Sequence, residues 1–173
     1  MSEQHIPAST ITITREAITV PAGFVPASMG EFFIGNNGPL YLRHEDRPGD
    51  PQGPLVQLGF RVERRHCNPM SNCHGGMLAT FSDMVLPMSI HRKSAEVGHK
   101  FLPTINLQLD YLSPAPLGSW VQGEGQVLRV TRSMVFAQGL VTADGVPAVR
   151  ISGIFKIGKP FVMGGAPGGV PGG

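Results

Sequence analysis

The stretch that decides the fold is HGGMLATFSDMVLPMSIHRKS, residues 74–94. Its apolar side chains recur every three or four residues, at Met77, Phe81, Met84, Val85 and Met88. This spacing is typical of an α-helix with one apolar face. The side that we expect to pack on a sheet carries Met77, Phe81, Met84 and Met88. Pro87 lies inside the pattern, and we expect it to kink or shorten the helix near its C-terminal end because proline has no backbone N–H.

The segments around this helix alternate between apolar and polar residues, as β-strands do. One such segment, residues 54–66, precedes the helix, and four follow it, at 104–112, 119–130, 133–143 and 147–157. Asp144-Gly145, between the last two, is a hairpin signal. With one or two early strands, the pattern predicts an α+β domain in which one long central helix is wrapped by a curved antiparallel sheet of five to six strands.

Composition divides the 173-residue chain into three parts. Residues 1–35 are punctuated by proline and are predicted to form an arm, with a short helix around 28–35. Residues 36–160 are the predicted domain. Residues 161–173 are rich in glycine and proline, a composition that cannot pack a core, and are predicted to be disordered.

Charge and hydropathy exclude several classes of partner. The chain has 14 basic and 12 acidic residues, which is too balanced for a protein that binds nucleic acid by neutralising phosphates. We see no secretory signal and no run of roughly 20 apolar residues that could cross a bilayer, so we expect a cytoplasmic protein. The free edge and face of the predicted sheet favour a homo-oligomer.

Asp83 is the candidate for chemistry on the predicted helix. Its neighbours at helical spacing are small or lack long side chains: Gly76, Ala79, Thr80 and Pro87. A carboxylate with space beside it faces a ligand slot or another protein surface, although a solvated or salt-bridged Asp83 fits the same pattern. Gly75 and Gly76 begin the helix, where backbone N–H groups point outward and a polarised carbonyl could dock closely. The same glycines could instead serve a tight turn.

The preceding residues, RRHCNPMSNCHGG at 64–76, hold both cysteines and allow three interpretations. A zinc site would need adjacent His-Cys pairs to converge on one metal, which their spacing disfavours. A Cys73–His74 nucleophilic pair is disfavoured because neighbours on a chain point in different directions. We favour two reduced cysteines that act as small, partly buried apolar residues, and we expect no metal.

Two motifs together carry a resemblance to a known family. Asn68, His74, Gly75, Gly76 and Asp83 follow the pattern N-x5-HGG-x6-D, and DYLSPAPLGS follows at 110–119. The chain resembles the PaaI-type acyl-CoA thioesterases of the hotdog superfamily over about residues 54–157. The resemblance implies a dimer or tetramer with active sites between subunits, and hydrolysis of acyl-CoA thioesters without a metal or a separate cofactor.

The resemblance also implies roles for single residues. Asp83 would be the general base or the nucleophile, and Asn68 would place the water or the thioester. The Gly75 backbone would polarise the carbonyl, and His74 would support this loop or the leaving thiolate. Thr104 aligns with a site serine of some members.

Coenzyme A also needs cationic partners for its phosphates. Candidates are Arg129 and Arg132, which flank the predicted hairpin at 128–133, although ordinary surface arginines would look the same. Gly76 is a candidate for close backbone contact with the substrate.

Other functions remain open on the same fold. The chain could be a non-catalytic acyl-CoA or lipid-binding protein. It could also be a hotdog hydratase or dehydratase, although we find no second Asp/His or His/Glu pair of the kind that those enzymes use.

Overall fold

The computed structural model describes residues 19–28 and 33–160. The predicted tail at 161–173 and most of the predicted arm lie outside the described residues. In chain order the elements are β1 (Val25–Ala27), α1 (Phe33–Asn36), β2 (Leu40–Glu45), β3 (Leu55–Arg61), α2 (Gly75–Lys93), β4 (Thr104–Tyr111), β5 (Trp120–Val130), β6 (Met134–Ala143) and β7 (Val146–Lys156), with a short 3-10 turn at Arg64–His66.

A single antiparallel sheet of seven strands, in the order β1-β2-β3-β5-β6-β7-β4, packs against α2. The predicted arrangement of one long helix on a curved antiparallel sheet, the hotdog fold, is confirmed. The predicted number of five to six strands is too low. One reason is that β1 has only three residues, including Pro26, and is too short to show an alternation. β1 lies within the range predicted as an arm, and it pairs with β2.

β4 is the strand that follows α2, and it lies at one end of the sheet. It pairs with β7 along its length, and within the described residues no strand covers its other edge. A β-bulge interrupts the pairing between Thr104 and Asn106. An exposed strand edge of eight residues is a site where a second chain can add.

α2 buries eight residues against the sheet: Met77, Leu78, Phe81, Ser82, Val85, Leu86, Ser89 and Ile90. The predicted apolar face is therefore wrong in part, because Met84 and Met88 are only half-buried. Two serines lie on the buried face where the pattern of apolar residues gave no signal. Pro87 does not end the helix early, since α2 continues to Lys93.

Glycines of the sheet explain why serine fits under the helix. The backbone N–H of Gly125 donates to Ser89 Oγ at 3.0 Å. A Cβ on Gly125 would lie 2.8 Å from that oxygen, and a Cβ on Gly123 would lie 2.7 Å from Val85. α2 therefore approaches β5 more closely than side chains on both surfaces would allow.

No helix within residues 19–28 and 33–160 is both long and apolar enough to span a membrane.

Candidate active site

The loop before α2 is held as a small antiparallel ladder. Cys67 and Cys73 face each other in an isolated bridge, and the Asn68 N–H donates to the Asn72 carbonyl at 2.8 Å. Inside the loop, the Asn68 side-chain oxygen accepts from the N–H groups of Met70 at 3.0 Å and Asn72 at 3.2 Å. These two donors orient the Asn68 amide, so that its NH2 group stays available to a ligand.

His74 caps the start of α2. Its Nδ1 accepts from the Gly76 N–H at 2.9 Å, and its carbonyl accepts from Met77 and Leu78. The Gly76 donor is therefore used within the protein. The Gly75 N–H is in the first helical turn, where no intrahelical acceptor exists, and no described residue accepts from it. Gly75 is thus the backbone donor that this helix start offers.

Asp83 and Thr104 form a second cluster. The Thr104 hydroxyl donates to Asp83 Oδ1 at 2.8 Å. Asp83 is half-buried on the face of α2 turned away from the buried one, and Thr104 is exposed at the first position of β4. One carboxylate oxygen is thereby held by a neutral donor, which leaves the other for water or substrate.

The two clusters are separate within one chain. Gly75 and Asp83 are eight residues apart in α2, and eight residues of helix span about 12 Å. The structure therefore brings Asn68, His74, Gly75 and Gly76 together at the helix start, and Asp83 and Thr104 together farther along, but it does not bring the two clusters together.

The cysteines lie in surroundings that favour the neutral thiol. Burial raises the pKa of Cys73 to about 12, and the facing Cys67 acts in the same direction. Burial also raises the pKa of Cys67, against an opposing effect of Arg64. At neutral pH neither residue is a ready thiolate, the form that a cysteine nucleophile requires.

His66, one of the two histidines of the candidate zinc site, already has a hydrogen-bond partner within the protein. His66 is buried, and its Nδ1 accepts from the Glu63 N–H at 3.0 Å. Burial and the neighbouring Arg65 lower its pKa. In the described part of the chain, no three residues of the His, Cys, Asp and Glu types are grouped so that they could hold a metal ion.

The two predicted phosphate-binding residues lie at the β5–β6 turn. Arg129 and Arg132 are both exposed, and among the residues described no carboxylate pairs with either. The turn itself is fixed by Thr131, whose hydroxyl donates to the Met134 carbonyl at 3.0 Å. Both guanidinium groups are therefore accessible to an anionic ligand.

Tyr111 is a site residue that the sequence patterns did not single out. Its hydroxyl donates to the Gly75 carbonyl at 2.9 Å, and its ring atoms lie 3.5–3.6 Å from where a Cβ on Gly75 would be. The only signal was the position of Tyr111 in the DYLSPAPLGS motif, which says nothing about a partner 36 residues away.

The fold is the hotdog fold, and comparisons with known proteins find similarity to thioesterases. Residues 70–148 match the Thioesterase superfamily. The chain is 28% identical over 142 residues to "Putative esterase PA0474" of Pseudomonas aeruginosa, a match that covers 81% of this chain and 98% of that protein.

Solved structures share the fold. A "Hypothetical Thioesterase Protein" of Streptococcus pneumoniae, crystallised with coenzyme A, superposes with a TM-score of 0.59 at 16% identity, over 70% of this chain and 87% of that one. A variant of the phenylacetic acid degradation protein PaaI from Thermus thermophilus gives 0.58 at 18% identity, over 72% and 97%. The match of residues 70–148 confirms the resemblance to thioesterases that the two motifs indicate, and the PaaI structure shares the fold.

Proposed function

We propose that the protein hydrolyses acyl-CoA thioesters to a free acid and coenzyme A, in a site assembled from two copies of the chain. Water adds to the thioester carbonyl and the coenzyme A thiolate leaves, so no separate cofactor is needed. Asp83 is the general base or the nucleophile. The Gly75 N–H polarises the carbonyl, the Asn68 amide places the water or the thioester, and His74 supports the loop.

The observation that carries the two-copy site is the position of the clusters on β4. Thr104, at its first residue, contacts Asp83, and Tyr111, at its last, contacts Gly75. If two β4 edges pair antiparallel about a twofold axis near the middle of the strand, Thr104 of one copy lies near Tyr111 of the other. Each carboxylate then meets the helix start of the neighbouring copy, and two equal sites result.

The chemistry of Asp83 suits either role. Its Oδ1 is oriented by Thr104, and its second oxygen can accept a proton from water or attack the carbonyl directly. The carbonyl oxygen gains negative charge as the tetrahedral intermediate forms, and a backbone N–H at a helix start stabilises that charge.

Arg129 and Arg132 are proposed to contact the phosphates of coenzyme A. Their exposure and freedom from carboxylate partners among the described residues support this role, because guanidinium groups bind phosphate well. The coenzyme A in the structurally similar Streptococcus pneumoniae protein supports the substrate class.

The proposed reaction is tested by thiol release from a panel of acyl-CoA substrates. We expect Asp83→Asn to lower kcat by about 10²–10⁴-fold, the usual contribution of a general base. The matched control is Asp110→Asn, which removes a carboxylate of β4 that is paired with Arg150 at 2.6 Å; we expect its kcat to stay within about twofold of wild type. Tight binding of acyl-CoA without turnover by the wild type would instead identify a binding protein.

The shared site is tested by mixing two inactive variants, Asp83→Asn and Asn68→Ala. In a mixed dimer one site carries both substitutions and the other carries neither, so a random equal mixture should regain about a quarter of wild-type activity. No recovery after refolding the mixture, with dimers present by light scattering, would contradict a site shared between copies.

A further inference from the structure

The DYLSPAPLGS motif at 110–119 is hydrogen-bonded to the loop that carries Asn68, and we call this set of contacts the clamp. The Cys73 N–H donates to the Ala115 carbonyl at 2.7 Å, and the Leu117 N–H donates to the Ser71 carbonyl at 2.9 Å. Asn72 and Pro116 form an isolated bridge between the same two segments. Residues 115–117 therefore hold the loop that carries Asn68 and leads into α2.

Tyr111 extends this clamp to the helix itself. The other contacts of the clamp are made by backbone groups and reach only the loop, whereas the Tyr111 hydroxyl reaches the carbonyl of the first residue of α2. Its ring lies against the open side of Gly75. Tyr111 is itself 53% exposed, so this bond is at the surface where the proposed second copy would lie.

The start of α2 needs such a restraint because it consists of two glycines. Glycine has more backbone freedom than any other residue, so Gly75-Gly76 alone would orient the Gly75 N–H poorly. His74 holds the Gly76 N–H on one side of this turn, and Tyr111 holds the Gly75 carbonyl on the other. The two bonds together fix the peptide that joins the two glycines.

We infer that Tyr111 is a positioning residue for the thioester carbonyl: through its bond to the Gly75 carbonyl, it restricts rotation about the backbone bonds of Gly75 and so limits the direction of the Gly75 N–H, which belongs to the preceding peptide. This inference rests on the proposed function for its kinetic consequence. A misplaced donor weakens stabilisation of the transition state more than it weakens binding of the substrate.

The test compares Tyr111→Phe, which keeps the ring and removes the hydroxyl, with Ser113→Ala. Ser113 is a matched control because its hydroxyl also donates to a backbone carbonyl, that of Pro147 at 2.6 Å, but does not touch α2. We expect Tyr111→Phe to lower kcat about tenfold with KM within about twofold. Ser113→Ala should keep both values.

A second readout does not depend on catalysis. The amides of Met77 and Leu78 donate to the His74 carbonyl in the first turn of α2, and their hydrogen exchange should be faster in Tyr111→Phe but not in Ser113→Ala. Unchanged exchange overturns the inference, as does an equal loss of kcat in both variants. If wild-type protein released no thiol from any acyl-CoA, the proposed function would fail, and exchange would still decide the role of Tyr111.

Discussion

The two faces of α2 differ in burial and in the size of their side chains. The face against the sheet is filled with buried side chains, and it needs volume and close packing. The other face is half-buried or exposed and carries mostly small residues around one carboxylate: Gly76, Thr80, Asp83 and Pro87. The first face contributes most to stability, and the second is where we propose that a ligand and a second chain bind. Substitutions on the two faces should therefore separate folding from activity.

The largest effect on stability is expected at the centre of the buried face. Phe81 is 1% exposed, and its ring centroid lies 4.9 Å from that of Phe60. Phe81→Ala should lower the free energy of unfolding by about 3–5 kcal/mol because it leaves a cavity. Met88→Ala, on the half-buried flank, is the control and should cost clearly less. Equal losses in urea denaturation would show that the two positions do not differ as their burial indicates.

A smaller loss is expected where the sheet meets the helix. Gly125→Ala places a methyl group 2.8 Å from Ser89 Oγ, and such overpacking costs about 1–3 kcal/mol. In a Ser89→Gly background the added methyl should cost less, because its closest neighbour is gone. Thermal unfolding of the wild type, the two single variants and the double variant measures this coupling, and strictly additive losses would argue against the close contact.

The smallest effect on stability is expected at the other face. Thr104→Val keeps the shape of an exposed side chain and removes the bond to Asp83, so the free energy of unfolding should change by less than about 1 kcal/mol. Its kcat for acyl-CoA should nevertheless fall by about threefold to tenfold, since Asp83 loses its orienting donor. Thr142→Val, a half-buried threonine on β6, is the control. Full activity in Thr104→Val would contradict the role proposed for Thr104.

The strands after the helix could be predicted closely. The segments at 104–112, 119–130, 133–143 and 147–157 each agree with a strand of the structure to within one residue at either end. Their alternation is long and regular, and Asp144 and Gly145 both adopt the positive φ that the hairpin signal predicts. The exact buried face of α2 could not be predicted in this way. Ser89 is buried because Gly125 lets the sheet come close to it, and that contact depends on a residue far away in the sequence.

The candidate site also has one part that the sequence predicts and one part that it does not. The small neighbours of Asp83 and the helix start at Gly75 are local features that residue spacing reveals. The bonds from Thr104 to Asp83 and from Tyr111 to Gly75 join residues 21 and 36 positions apart. Both bonds form because β4 lies at the end of the sheet, beside β7. The spacing of residues along the chain does not show that position.

Pro87 leaves the backbone carbonyl of Asp83, the proposed base, without its usual helical hydrogen bond. In an α-helix the N–H of each residue bonds to the carbonyl four positions earlier, and for Pro87 that carbonyl belongs to Asp83. Proline has no N–H to donate, so the main-chain oxygen of Asp83 lacks this helical partner. Asp83 thus offers two hydrogen-bond acceptors, one in its side chain and one in its backbone.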